Sequence, residues 1–309
     1  MAGRFAPSPT SALHLGTLRT ALVSWLVARQ SGRRWLVRIE DLDQERVAAA
    51  GGVARRQLED LAALGLVSDS EPWWQSGRMP AYRAALDVLR DDLYECYCTR
   101  REIAQSASAP HGDGYRPYPG TCRDLSPAER ARRRAARPPA LRIRAVRAVQ
   151  TVHDLWAGEV SGSVDDFVLL RNDGVPAYNF AVVVDDLAQG VDQVVRGDDL
   201  LSSSPRQAWL AVHLGGVPPN YAHVPLAVSA EGRRLAKRDG AVTLADLRRQ
   251  GLSPGEVLTL LAASLDLAEL GEPVSLPTLL DRFDPARLPR SPWVVVDPTA
   301  PPSPAGQPA

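Results

Sequence analysis

Gly3-Arg4-Phe5-Ala6-Pro7-Ser8-Pro9-Thr10-Ser11-Ala12-Leu13-His14-Leu15-Gly16-Thr17 is the stretch on which the reading of the chain turns. A short apolar and aromatic segment runs into a Pro-Ser-Pro turn, then His-x-Gly-Thr, then a helix. Leu18, Leu22, Trp25 and Leu26 carry the i, i+4, i+7, i+8 spacing of one helical face, and Gly32 marks its stop. Trp35 to Ile39 is apolar and strand-like and ends in Glu40-Asp41-Leu42-Asp43. Strand, loop, helix and strand make a βαβ opening, which puts the His14–Thr17 loop at the N-terminus of the crossover helix. Free N–H groups and a partial positive charge at that terminus attract phosphate. Gly16 lets backbone approach a ligand closely, and His14 can donate a hydrogen bond to a phosphate oxygen.

Outward from this stretch, the basic residues are unusual. The chain has 35 arginines and a single lysine, Lys237, in Arg233-Arg234-Leu235-Ala236-Lys237-Arg238-Asp239-Gly240. A compact ammonium suits a phosphate whose geometry changes during reaction, whereas the arginine fork prefers a fixed bidentate partner. A dinucleotide pattern G-x-G-x-x-G does not follow the first strand. That weighs against an ordinary NAD site and favours a nucleotide held by His14, Gly16 and the lysine loop.

Four ordered blocks carry a resemblance. Arg4-Phe5-Ala6-Pro7-Ser8-Pro9-Thr10 with His14-Leu15-Gly16-Thr17 resembles the HIGH region of class I glutamyl-tRNA synthetases, and Arg234-Leu235-Ala236-Lys237-Arg238 resembles their KMSKS loop. Between them, Pro176-Ala177-Tyr178-Asn179-Phe180-Ala181 with Val182-Val183-Val184-Asp185-Asp186 is similar to the same family. So is Val195-Arg196-Gly197-Asp198-Asp199-Leu200-Leu201 with Arg206-Gln207. Only 72 residues follow Lys237 in the 309-residue chain, too few for a large helical anticodon-binding part. Length therefore directs the resemblance to the truncated branch, the glutamyl-queuosine tRNA(Asp) synthetases.

The resemblance implies ATP-dependent activation of L-glutamate without tRNA, then esterification of queuosine in the tRNA(Asp) anticodon. It implies His14, Gly16, Thr17 and Lys237 as catalytic residues, with His14, Gly16 and Lys237 holding ATP. Arg4, Ser8, Glu40, Tyr178 and Arg196 are the matched glutamate positions. Arg4 or Arg196 would grip the side-chain carboxylate, Glu40 suits the α-ammonium, and Tyr178 adds a directional hydroxyl. Mg²⁺ is expected with ATP. Two departures stand out: Ser11 where the family places glycine, and Ala236 where the KMSKS serine would be. Rival readings are a small-molecule nucleotidyltransferase, a silent RNA-binding module and a truncated conventional glutamyl-tRNA synthetase.

Cys96, Cys98 and Cys122 are the only cysteines. An odd, sparse count argues against a disulfide framework and for thiol or metal chemistry. Three thiolates plus a fourth ligand would close a structural zinc site. The resemblance implies Tyr118 as that ligand, with Tyr115, Asp113 or His111 as alternatives.

The formal net charge is zero and 45% of residues are hydrophobic, so a sizeable core is expected and no global polyanion partner is announced. Nine arginines between Arg123 and Arg147 face only Asp124 and Glu129, and Pro127 to Arg137 reads as an arginine helix. Such a run contacts an RNA backbone or forms a solvated face.

The expected fold is α/β, a Rossmann-like doubly wound parallel sheet with a zinc-bearing insertion and a small C-terminal helical appendage. Residues 1–92 would form the first half of the catalytic domain, 93–140 the insertion, 141–228 the second half, 229–296 the lysine loop and appendage, and 297–309 a disordered tail. Gly52 to Leu64 and Pro80 to Leu93 read as crossover helices. Leu141 to Arg144, Asp166 to Leu170 and Val182 to Val184 read as strands of the main sheet. With no signal peptide or membrane-spanning run, a cytoplasmic location is expected, and a monomer is the expected state.

Overall fold

The opening βαβ unit forms as its spacing predicts. β1 (Ala2–Phe5) leads through the Pro-Ser-Pro turn into α1 (Leu15–Gln30), and β2 (Arg34–Ile39) returns parallel to β1. Leu15, Leu18, Leu22 and Leu26 are fully buried on α1, where they meet Trp35 and Ile39 from β2. The structure is a computed structural model and describes residues 1–99, 101–103, 117–145, 148–233, 235 and 242–295.

The remaining elements follow in chain order: α2 (Gln44–Ala50), α3 (Val53–Ala63), β3 (Trp73–Trp74), α4 (Met79–Val88), β4 (Leu93–Cys96), α5 (Pro127–Ala136), β5 (Ala140–Ile143), β6 (Ala148–Asp154), β7 (Gly158–Val164) and β8 (Val168–Leu170). Then come α6 (Tyr178–Gln189), β9 (Val191–Gly197), α7 (Ser204–His213), β10 (Asn220–Val224), β11 (Ala227–Val228), α8 (Leu244–Arg249), α9 (Pro254–Ala263), α10 (Leu276–Arg282) and β12 (Trp293–Val294).

The main sheet has seven strands in the order β3-β2-β1-β9-β10-β6-β7, all parallel except β7, which returns antiparallel from β6. β1 lies between β2 and β9, so the strand order reverses beside it. In open parallel sheets the crevice outside the carboxyl ends at such a switch point is where ligands bind.

Three sequence expectations give way here. Val182 to Val184 belongs to helix α6, which is buried nearly all round and ends at Gly190 in the left-handed region with φ +66. A short valine run reads equally well as a buried strand or as one segment of a buried helix. Leu141 to Arg144 and Asp166 to Leu170 do form strands, β5 and β8, yet these pair antiparallel with β4 in a separate three-stranded sheet. The places expected for them in the main sheet are taken by the β6–β7 hairpin, whose inward side includes Ala148, Gln150, Asp154, Gly158 and Gly162 while Val149 faces out, which hides its alternation from a search for apolar runs.

The C-terminal helices share the core of the opening unit. Val257, Leu258 and Leu261 of α9 and Leu279 of α10 pack in one cluster with Leu18 and Leu22. Arg19, buried on α1, ties that union together by donating to the Ser264 hydroxyl at 3.1 Å and to the Pro225 carbonyl at 2.9 Å. Ser11 carries no strain: among the described residues Asp266 is the only non-glycine with positive φ.

Candidate functional site

A cavity of about 480 Å³ opens outside the carboxyl ends of β1 and β9, at the switch point. Its wall brings together Arg4, Ser8, His14, Gly16, Thr17, Glu40, Tyr178 and Arg196, eight of the positions singled out in the sequence. They come from the end of β1, the turn after it, the first turn of α1, the end of β2, the start of α6 and the end of β9.

His14 is the N-cap of α1. Its Nδ1 accepts from the Thr17 backbone N–H at 3.3 Å, which leaves the proton of the neutral ring on Nε2, 3.0 Å from the Thr17 hydroxyl. The helix N-terminus therefore faces the cavity with its positive end and an imidazole N–H beside it. Gly16 has a second reason to be glycine: a Cβ there would stand 2.7 Å from the Ala227 Cβ and 3.2 Å from the His14 ring.

Lys237 and Ala236 lie outside the described residues. The residues that flank them are fixed beside His14. On one side the Leu235 N–H donates to the Ala227 carbonyl at 3.3 Å; on the other the Leu15 N–H donates to the Val242 carbonyl at 3.0 Å, and His14 bridges Thr243. β12 pairs with β11 on its outer side, which braces the same strand.

Arg4 is only 3% exposed, and its fork grips Asp186, with Nε and Nη2 at 3.2 and 3.4 Å. Asp186 also accepts from Arg38 Nη1 at 2.7 Å, and Arg38 reaches Gln189 at 2.8 Å and Glu40 at 3.5 Å. Burial raises Asp186, but the Arg38 and Arg4 charges outweigh it and hold the carboxyl below the usual range. Glu40 goes the other way: burial pushes its carboxyl up, against the opposing pull of Arg38 and Arg4. A carboxylate left so poorly compensated gains from a ligand cation.

Arg196 is buried, and all five of its N–H donors are engaged. Nε donates to His223 at 3.0 Å, Nη1 to Gln207 at 2.7 Å and Tyr178 at 3.3 Å, and Nη2 to Ser204 at 2.8 Å and the Leu200 carbonyl at 3.2 Å. Tyr178, 40% exposed, presents its hydroxyl at the cavity wall beside that guanidinium. Ser8 is exposed on the turn, which Gln57 braces through the Ser8 and Ser11 carbonyls at 3.0 and 2.7 Å.

The three cysteines form a separate cluster, each sulfur within 4.8 Å of the others. Cys98 and Cys122 sulfurs stand 3.6 Å apart, and the Tyr118 hydroxyl lies 3.5 Å from Cys96 Sγ and 3.6 Å from Cys98 Sγ. With zinc bonds of about 2.3 Å to sulfur and 2.0 Å to oxygen, tetrahedral edges come to roughly 3.8 Å for S···S and 3.5 Å for O···S. The four groups thus fit a closed zinc site. The Cys122 N–H also donates to the Tyr118 oxygen at 2.8 Å, and the Arg142 guanidinium lies 3.7 Å from the centre of its ring. Burial raises the Tyr118 hydroxyl, so a bound cation is what would turn it from hydrogen-bonding partner to ligand. Tyr115, Asp113 and His111 lie outside the described residues.

The arginine run is largely absorbed in ion pairs. Arg132 and Arg133 meet Glu129 at 2.8 and 2.7 Å, Arg134 meets Glu95 at 2.6 Å, and Arg123 meets Asp166 at 2.6 Å. Sequence reasoning missed Arg38, Asp154 and His223 as parts of the site, and gave no role to Asp186 although it stands in a quoted block. Asp154, His223 and Asp186 meet their partners only through the fold, from far away in the chain.

The description of class I tRNA synthetases for E and Q, catalytic domain, matches residues 1–283. The glutamyl-Q tRNA(Asp) synthetase of Nocardia farcinica is 60% identical over 299 residues, covering 96% of this chain and 93% of that protein. The enzyme of the same name from Cutibacterium acnes is 54% identical over 275 residues, 89% of this chain and 79% of its own. Among solved structures, a glutamate tRNA ligase from Elizabethkingia meningosepticum, crystallised in complex with its amino acid, superposes with a TM-score of 0.78 at 28% identity. That match covers 94% of this chain and 66% of the ligase. The switch-point cavity, the His14 cap and these matches agree: the chain belongs to the class I tRNA synthetase family for E and Q, a family of ligases, and groups there with proteins named glutamyl-Q tRNA(Asp) synthetase.

Proposed function

We propose that the chain joins L-glutamate to ATP as glutamyl-adenylate without RNA, and then transfers the glutamyl group to queuosine in the anticodon of tRNA(Asp). One observation carries the reading: a helix N-terminus capped by His14 shares a cavity with Arg4, Glu40, Tyr178 and Arg196. The first part suits a triphosphate; the second suits an amino acid with two carboxylates and one ammonium.

In the first step the glutamate α-carboxylate oxygen attacks the α-phosphorus of ATP in line, and the bond to the bridging oxygen breaks to release pyrophosphate. Positioning and charge stabilisation suffice, with no covalent enzyme intermediate. His14 Nε2–H, the N–H groups of the first α1 turn and Lys237 hold the phosphates, and Mg²⁺ arriving with ATP would add charge neutralisation there. Glu40 receives the ammonium. Arg196 takes the side-chain carboxylate by exchanging its two longest bonds, to Tyr178 and the Leu200 carbonyl. In the second step a hydroxyl of the cyclopentene-diol attacks the acyl carbon, AMP leaves, and the hydroxyl proton passes to solvent.

The assay is glutamate-dependent ATP–pyrophosphate exchange without RNA, followed by charging of queuosine-bearing tRNA(Asp), the same tRNA lacking the modified base, and tRNA(Glu). Exchange, together with charging of the modified tRNA alone, is the expected result, and periodate treatment of that tRNA should abolish the charging. Charging of tRNA(Glu) at its 3′ end would instead identify a conventional synthetase.

Cys96, Cys98, Cys122 and Tyr118 would hold a structural zinc that staples the turn at 118–122 to the end of β4; with four protein ligands it leaves no open position for catalysis. Purified protein is expected to contain about one zinc per chain by elemental analysis. Cys122→Ser should lose the metal and unfold at lower urea concentration. Equal metal content in that variant would remove the cluster as the binding site.

A further inference from the structure

Behind Arg196 lies a chain of three side chains, one from each of three adjacent strands. Arg196 on β9 stands in register opposite His223 on β10, and β10 pairs in turn with β6, which ends at Asp154. His223 is 4% exposed and Asp154 is 1% exposed, so neither meets a ligand directly. His223 Nδ1 lies 2.6 Å from Asp154 Oδ2, and His223 Nε2 lies 3.0 Å from Arg196 Nε.

The chemistry of the two neighbours fixes the imidazole. A guanidinium only donates, so Nε2 must carry its lone pair toward Arg196; a carboxylate only accepts, so Nδ1 must carry the proton toward Asp154. Asp154 has no spare oxygen for a different arrangement, because Oδ1 already accepts from the backbone N–H groups of Trp156 and Ala157 at 2.9 and 2.8 Å. Ser204 closes the group: its oxygen accepts from Arg196 Nη2 at 2.8 Å and sits 3.3 Å from His223 Nε2.

We propose that Asp154 and His223 are positioning residues: they fix the Arg196 guanidinium in the plane from which it receives the glutamate side-chain carboxylate. This inference rests on the reading of the cavity as a glutamate site. Neither residue touches substrate, and neither is among the sequence motifs that mark the site. The device selects for substrate geometry. A guanidinium held at Nε cannot rotate about its stem, so only a carboxylate at the right distance from the ammonium subsite meets both Nη groups.

Asp154→Asn tests it with almost no change of shape. The asparagine oxygen is taken by the two backbone N–H groups, which turns the amide NH₂ toward His223. The imidazole must then accept at Nδ1 and carry its proton on Nε2, where it confronts the Arg196 Nε–H, donor against donor. A wrong tautomer imposed in this way disables a histidine while leaving the fold intact. His223→Gln instead offers Arg196 a carbonyl oxygen free of any tautomer.

In pyrophosphate exchange, Asp154→Asn is expected to raise the KM for glutamate at least about tenfold, with the KM for ATP within about twofold of wild type. His223→Gln should raise the glutamate KM less. Calorimetric titration with glutamate should reproduce the same ranking in Kd.

An unchanged glutamate KM in Asp154→Asn overturns the proposal. So does a parallel rise in both KM values with a lowered melting temperature, which a purely structural pair would give. If Asp154→Asn does not fold, His223→Phe fills the ring volume with no acceptor, and a glutamate-selective rise in KM supports the relay while its absence overturns it. Failure of the wild-type protein to exchange with glutamate is a separate result: it removes the functional reading itself, and the relay with it.

Discussion

Lys237→Ala is expected to lower glutamate-dependent ATP–pyrophosphate exchange by on the order of 10²–10³, with folding stability within about 0.5 kcal/mol of wild type. The magnitude is that of losing one preorganised donor aimed at charge that builds in the transition state. Lys237 lies outside the described residues, so the argument comes from its flanks. Leu235 is hydrogen-bonded to Ala227 and Val242 to Leu15, and Ala227 and His14 both line the cavity. Whatever path the intervening six residues take, both of its ends are tied beside the His14 cap. The ammonium matters by kind as well as charge. Lys237→Arg keeps the charge in a chain that uses arginine everywhere else, and it should recover less than about a tenth of the wild-type rate, since a fork cannot follow a moving phosphate as a point donor does. Near-normal exchange in Lys237→Ala would remove the lysine from the chemistry, and full rescue by arginine would remove the reason given for its type.

What the sequence made legible was local. The α1 cap, the glycine after it and the cysteine spacing are short-range patterns in which physical role and neighbour identity coincide, and the structure places His14, Gly16, Cys96, Cys98 and Cys122 accordingly. Arg196 was marked by its motif, and Tyr178 with it, yet the saturation of its five donors could not be read from the chain. Four of those five partners come from β10, α6 and α7, and their approach depends on strand order. Val182 to Val184 shows the same boundary from the other side: apolarity predicts burial well, whereas helix against strand is settled by what the segment packs against. The arginine run is the clearest case. Its charge density was visible, and so was Glu129 within it, but Glu95 and Asp166, which occupy Arg134 and Arg123, lie outside the run.

Asp186→Ala is expected to cost about 3–5 kcal/mol of stability, a loss typical of breaking a buried ion pair from one side. The removed carboxylate is the common partner of two buried arginines, Arg4 and Arg38. Arg38 retains weaker ion pairs, with Glu40 at 3.5 Å and Asp185 at 3.8 Å, and Asp185 is already engaged by Arg78, Gln75 and Tyr82. Arg38 Nε, buried without a hydrogen-bond partner even in the intact protein, leaves no slack to absorb the change. Asp186→Asn separates charge from shape and carries a pH signature. The native carboxyl is held below its ordinary value, so its contribution is complete above the unfolded pKa of about 3.9 and fades as pH falls through the lower folded value. The stability gap between wild type and Asp186→Asn, from urea unfolding, should therefore be constant above about pH 5 and narrow below about pH 4. A gap independent of pH across that range would mean that Asp186 contributes through packing alone. Replacing Arg38 with Met in the Asp186→Leu background should restore part of the loss, because the buried cation that had no counter-charge is then absent. The same pairing links the core to the cavity: the carboxylate that neutralises the core cation Arg38 also orients Arg4 at the cavity wall, so a change at Asp186 reaches both.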